Sequence, residues 1–161
     1  MPIKVNNVNL NTFGYGEINI DLVEGINLQK IDTKSTRQLY YAKINGVEFI
    51  VKKAVDFGGK SQNATEVKIT YFMNDSDDCI NPIIAYSSKY TYVLERFIPF
   101  KVNRLSIIKD YYGVSDVLDI LSIEWLIKNF RLAKTDLNKL TSWRVDYDNS
   151  VKLVDYGYIG Y

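Results

Sequence analysis

The dipeptide Asn45-Gly46 constrains this chain more than any other feature. It separates two runs rich in β-branched and aromatic residues, 38–44 and 47–52. Both residues tolerate positive φ, as a two-residue turn matched to the twist of paired strands requires, so the segment predicts a β-hairpin. Further strands are expected around it. Residues 18–23 alternate apolar and polar, with Ile26, Leu28 and Ile31 continuing the pattern after a turn at Glu24-Gly25, while Gly14-Tyr15-Gly16 reads as another turn. Strands at 82–86 and 90–97 flank the polar turn Ser87-Ser88-Lys89. Residues 56–60 read as a loop, followed by a helix over 61–73 capped near Ser61 or Asn63. A second helix is expected over 115–130, capped by Ser115 and apolar on two faces. The end reads as a second hairpin, 143–146 with 151–154. No repeat, low-complexity tract or Pro/Gly/Ser-rich linker divides the chain, so the pattern is α+β within one structural unit.

Composition matters here mostly for what it excludes. The chain has no histidine, which removes Ser-His-Asp triads, His-paired cysteine nucleophiles, zinc proteases and two-His fingers. Twenty Lys and Arg against nineteen Asp and Glu leave a formal charge of +1, too little for nucleic-acid binding driven by counterion release. Cys79 has no second cysteine to pair with and suits a reducing compartment as a small buried apolar residue. Nothing approaches the roughly 20 apolar residues of a membrane span, and the amino terminus lacks a signal-peptide run. A cytoplasmic protein without membrane contact is expected. Its preference for Asn, Ile, Lys and Tyr hints at a low-GC, viral or phage source, in which case the compartment is the host cytoplasm.

Several motifs follow one another in a telling order. Phe49-Ile50-Val51-Lys52 places a lysine on a strand, and Glu66 lies on the next helix. Val151-Lys152-Leu153-Val154-Asp155-Tyr156-Gly157 is a strand leading into an Asp-Tyr-Gly turn, and Lys134-Thr135-Asp136-Leu137-Asn138-Lys139 precedes it. Together these resemble protein kinases. The resemblance implies a five-stranded antiparallel N-lobe sheet with one αC-like helix over 1–98, and a helical C-lobe over 99–161 cut short after the Asp-Tyr-Gly turn. It implies that Lys52, held by Glu66, contacts the phosphates of ATP, that Asp155 holds Mg²⁺, and that Asp136 is the catalytic base. Residues 90–99 resemble the fifth strand and hinge, where Glu95 and Phe97 would meet an adenine edge.

The departures are as informative as the matches. Lys134-Thr135 replaces the His-Arg that precedes the catalytic aspartate, and the metal-binding asparagine is replaced by Thr141, or by Ser142 with a one-residue insertion; Asn138 fits only a differently routed loop. The phosphate-covering segment 31–37 has no glycine, leaving the hydroxyls of Thr33, Ser35 and Thr36 as donors and Asp32 as a repelling charge. Four residues follow the Asp-Tyr-Gly turn in this sequence, and the resemblance leads us to expect a C-lobe without the peptide-docking helices of a kinase.

Three readings stand on these residues. One is a degenerate, minimal pseudokinase acting as a binding or regulatory module with Mg-ATP as ligand. Another is an active Ser/Thr phosphotransferase completed by a partner or by dimerisation. The third is an unrelated small interaction or structural protein whose thirteen tyrosines and seven phenylalanines form core and interface. Each implies a protein partner, a host protein or a second copy, and the helix over 115–130, Ile123 included, is expected to expose an apolar docking flank.

Overall fold

The computed structural model describes residues 3–5, 8–13, 28–33, 36–44, 46–73, 79–100 and 104–160. The expected strand at 18–23, Ile26, Ser35, and the turns at Gly14-Tyr15-Gly16 and Glu24-Gly25 lie outside these residues, as does the side chain of Thr33. The fold is α+β, and it divides into two compact units, Met1–Val67 with Pro82–Phe97, and Lys68–Asn81 with Ile98–Tyr161.

The first unit is built on an antiparallel sheet. Its strands are β1 (Ile3–Val5), β2 (Val8–Thr12), β3 (Gln29–Thr33), β4 (Arg37–Ile44), β5 (Val47–Ala54), β6 (Ile83–Ser87) and β7 (Tyr92–Arg96). The order across the sheet is β1-β2-β6-β7-β5-β4-β3, so the described residues form seven strands rather than the five expected. The additional pair, β1 and β2, extends the edge beside β6. Asn6, Asn7, Asn9 and Asn11 obscure these two strands in the sequence, because asparagine is depleted in strands generally.

The expected hairpin forms with the register its turn demands. Pairing runs from Arg37↔Ala54 to Ile44↔Val47, and Gly46 adopts φ +77°; Asn45 lies outside the described residues. Strand β5 is central and buried on both faces. Phe49 and Val51 join Leu10, Ile84 and Leu94 in an apolar core on one face, while Ile50, Lys52 and Ala54 point to the other.

That other face receives the helix α1 (Phe57–Met73), whose residues through Val67 belong to this unit. Val67 packs there against Ile83 and Val93. The helix starts at Phe57, not at Ser61. Asp56 supplies the cap, its Oδ1 accepting the Gly59 N–H at 2.8 Å while its carbonyl accepts Lys60 N–H at 3.1 Å. Gly58-Gly59 suggests a loop because glycine weakens helices, but Gly59 is needed for contact. A Cβ at that position would lie 2.1 Å from the Thr36 carbonyl oxygen. The first turn therefore sits directly against the start of β4, which only glycine permits.

The second unit collects the end of α1 with α2 (Leu105–Tyr112), a 3₁₀ turn at Val117–Asp119, α3 (Leu121–Phe130), α4 (Lys134–Leu137), a further 3₁₀ turn at Leu140–Ser142, and the hairpin of β8 (Trp143–Val145) with β9 (Val151–Leu153). The hairpin matches expectation, with Trp143↔Leu153 and Val145↔Val151 paired. The single helix expected over 115–130 does not form. Asp116, not Ser115, caps the 3₁₀ turn by accepting Leu118 N–H at 3.0 Å, and Ile120 is extended at φ −62°, ψ 121° before α3 begins. Helix α2 was not anticipated; it ends at Gly113, whose φ of +68° supplies a left-handed cap.

The core of this unit gathers Ile108, Ile123, Leu126, Leu137, Trp143 and Leu153, with Cys79 buried among them. Trp143 satisfies its indole by donating to the Leu137 carbonyl at 2.7 Å. Helix α3 buries one face rather than two. Ile123 and Leu126 point inward, so Ile123 is core and not docking flank, whereas Leu121 and Trp125 face outward. No helix among the described residues is long and apolar enough to cross a membrane.

The close approach at Gly59 is testable. Gly59→Ala should destabilise by about 1–3 kcal/mol, the usual scale of overpacking, read as a lowered urea midpoint. An unchanged or raised midpoint would show that the helix start does not contact β4 as described.

Candidate functional site

Antiparallel pairing sets the first unit's polar centre. Lys52 pairs with Leu39 on one side and Val93 on the other, so Arg37 and Glu95, each two residues along those neighbouring strands, share its face. Helix α1 covers that face and contributes Glu66 and, three residues earlier, Asn63. Four charged side chains therefore converge, each no more than 3 % exposed.

They form an alternating chain. Arg37 Nη1 lies 2.9 Å from Glu66 Oε1, Lys52 Nζ lies 3.1 Å from the same oxygen and 3.3 Å from Oε2, and Lys52 Nζ is 2.7 Å from Glu95 Oε1. Two cations and two anions cancel. Burying any one alone would cost several kcal/mol in lost hydration, which only neighbours of opposite sign offset.

Asn63 completes the centre. Its Oδ1 accepts from Arg37 Nη1 at 3.1 Å, and its Nδ2 donates to the carbonyls of Tyr90 (2.8 Å), Lys52 (3.3 Å) and Thr91 (3.3 Å). Far from capping the helix, this amide ties its middle to β5 and to the turn before β7.

The lysine and glutamate expected to meet, Lys52 and Glu66, do meet. The side chain of Glu95, the expected hinge residue, holds Lys52. Phe97 N–H, the other hinge candidate, donates to the Glu48 carbonyl at 3.0 Å, and its ring stands edge-on to Tyr41. Thr36 hydrogen-bonds Gln62 on α1. Sequence reasoning missed Arg37 and Asn63. A signal for Arg37 existed: the Asn45-Gly46 turn fixes Leu39↔Lys52 and Arg37↔Ala54, which puts the two cations on one face.

In the second unit, Asp136 lies on α4, a helical turn rather than an open loop, and accepts from Lys139 Nζ at 2.9 Å. Lys139 titrates above the ordinary lysine range, chiefly through this hydrogen bond and the Asp136 charge, with Asp155 and Tyr158 adding smaller contributions of the same sign. Asp136 and Asp155 thus act on one ammonium. Ser142 is buried in the 3₁₀ turn, and its carbonyl accepts Val154 N–H at 2.8 Å, which fixes it beside the residue preceding Asp155. Thr141 and Asn138 are exposed.

The Asp155-Tyr156-Gly157 turn carries an explanation for its tyrosine. Tyr156 is buried, and its hydroxyl donates to the Asn81 carbonyl at 2.6 Å and lies 3.3 Å from Thr70 Oγ1. Phenylalanine would leave these groups without that bond.

No three His, Cys, Asp or Glu side chains among the described residues form a metal cage. Mg²⁺ commonly takes one or two carboxylates plus phosphate oxygens, and the carboxylate of Asp155 is a hard-oxygen ligand of that type. No protein-family model matches the chain, and no curated protein matches it.

Two measurements check these centres. Lys52→Met should cost about 3–5 kcal/mol because it strands buried carboxylates, and Lys52→Met with Glu95→Leu should cost clearly less than the sum of the single changes. Additive losses in chemical denaturation would refute the coupling. Separately, an NMR titration should find the Lys139 midpoint above that of an ordinary lysine, and Asp136→Asn should lower it. The sign follows from a raised folded-state value: the stabilisation is complete below the unfolded-state midpoint and fades as pH rises through the folded-state one.

Proposed function

We propose that this chain is a degenerate protein kinase-like module that acts by binding, with Mg-ATP as its ligand and a protein as its partner. The observation that carries the reading is the Lys52–Glu66 pair, a strand lysine clasped by a carboxylate from the following helix. That arrangement is how a kinase-like nucleotide-binding lobe holds the ammonium meant for phosphates. In this reading Lys52 takes the phosphates, while Asp155, with Ser142 beside it, holds Mg²⁺. The bound ion would supply charge neutralisation for the phosphate oxygens.

Glu95 weakens the hold of Lys52 on phosphate, in binding and in transfer alike. A kinase lysine is shared between one carboxylate and the nucleotide, but here a second carboxylate stands 2.7 Å from the ammonium. Its negative charge opposes phosphate at the same place and weakens the electrostatic stabilisation on which phosphoryl transfer depends. The segment over β3, lacking glycine, likewise gives no close backbone approach to phosphate.

A second reading, an active Ser/Thr phosphotransferase with Asp136 as base, draws support from Asp136 and Asp155 acting on the same Lys139. The ion pair from Lys139, 2.9 Å from Asp136 Oδ1, disfavours it by occupying the carboxylate that would receive the proton.

Thermal denaturation with Mg-ATP tests the binding reading. At a hundredfold excess over its dissociation constant, a ligand bound only to the folded state stabilises by about 2.7 kcal/mol, a melting shift of roughly 2–4 °C. The shift should require Mg²⁺ and should shrink in Asp155→Asn. Radiolabel transfer should match the background of Asp136→Asn. Absence of any shift over a wide ATP range would overturn nucleotide binding, and transfer lost specifically in Asp136→Asn would establish the enzyme instead.

A further inference from the structure

An ammonium has three N–H donors, and that of Lys52 faces three carboxylate oxygens. Glu66 Oε1 stands at 3.1 Å and Oε2 at 3.3 Å, and Glu95 Oε1 is the nearest at 2.7 Å. Lys52 is also 3 % exposed. In this arrangement its donors are already taken, so a phosphate oxygen gains the ammonium only by displacing one of the carboxylates.

The two carboxylates differ in what their departure disturbs. Glu66 Oε1 also accepts from Arg37 Nη1 at 2.9 Å, Arg37 donates to Asn63 Oδ1, and Asn63 Nδ2 ties the helix to the carbonyls of Lys52 and Tyr90. Withdrawing Glu66 breaks its contacts with two cations and pulls on a helix anchored to the sheet. Glu95 lies one residue from the end of β7. Turning its side chain away from Lys52 leaves Arg37, Glu66 and Asn63 where they are. Phosphate and the Glu95 carboxylate carry the same sign and compete for one ammonium in a region shielded from water, where their repulsion is strong. The two therefore alternate.

We propose that Glu95 is an internal surrogate for phosphate, which occupies Lys52 in the unliganded protein and turns away when nucleotide binds. The inference rests on the reading of Lys52 as a phosphate contact and adds the residue that sets its affinity. Binding then draws on the fraction of molecules in which Glu95 has withdrawn, and the apparent affinity is lowered by that fraction.

Calorimetric titration of the full chain with Mg-ATP tests it. Glu95→Gln keeps the shape and removes the competing charge, and should lower the dissociation constant at least about tenfold. Arg37→Gln/Glu95→Gln removes one charge of each sign, keeps the net charge of the chain, and leaves Lys52 and Glu66 as a neutral buried pair. It should tighten binding likewise, and it decides the matter if Glu95→Gln alone does not fold by circular dichroism. Lys52→Met/Glu95→Gln, which leaves Arg37 with Glu66, should bind no tighter than wild type, because the gain passes through the ammonium. A wild type that binds Mg-ATP as tightly as the folded Glu95 variants would overturn the surrogate role and leave nucleotide binding standing. Tightening that persists without Lys52 would overturn it too. Absence of binding by wild type and every variant would instead remove the nucleotide reading, and this inference with it.

Discussion

The first unit depends on a neutral, buried chain of charge: Arg37, Glu66, Lys52 and Glu95. Three of the four sit on one sheet face and the fourth comes from α1, so sheet and helix each carry an incomplete set. Either element presented alone would leave charge stranded in a region from which water is excluded. Apolar contacts such as Val67 against Ile83 and Val93 pull the helix inward without fixing where it rests. The ionic contacts and the Asn63 amide fix its rotation and its height. Position here comes from polar groups, and adhesion from apolar ones.

Much of this was legible beforehand, for a local reason. A two-residue turn leaves one register for its hairpin, so Asn45-Gly46 determined which residues of β4 and β5 share a face. Lys52 and Glu66 could be paired because a strand lysine before a helix glutamate matches a known arrangement. Glu95 and Arg37 could not be seen in the same way, since their parts depend on strands meeting across the sheet. The two misplaced helix boundaries share a cause. Gly58-Gly59 argues against a helix unless one knows that Thr36 lies against it, and Ile120 carries no breaker signal although its backbone is extended. In both places tertiary contact decided what local preference left undecided.

In the second unit, the tyrosine at 156 illustrates a departure that carries its own compensation. A phenol in a core demands partners, and the Asn81 carbonyl and the Thr70 hydroxyl provide them. Asn81 also donates its N–H to the Leu153 carbonyl, and Leu153 N–H returns to the Cys79 carbonyl. The stretch just after α1 is thereby stitched to β9 immediately before Asp155. The aspartate leaves the hairpin from a well-anchored base.

The shared ownership of charge between sheet and helix bears on how the first unit comes apart. Lifting α1 would carry Glu66 away from both Arg37 and Lys52 at once. Small excursions are therefore penalised early, before water can reach the exposed groups. Amide protons in the middle of α1 and in the adjoining strands should exchange with solvent through one common opening, as a single foldon, rather than by gradual fraying from the helix end.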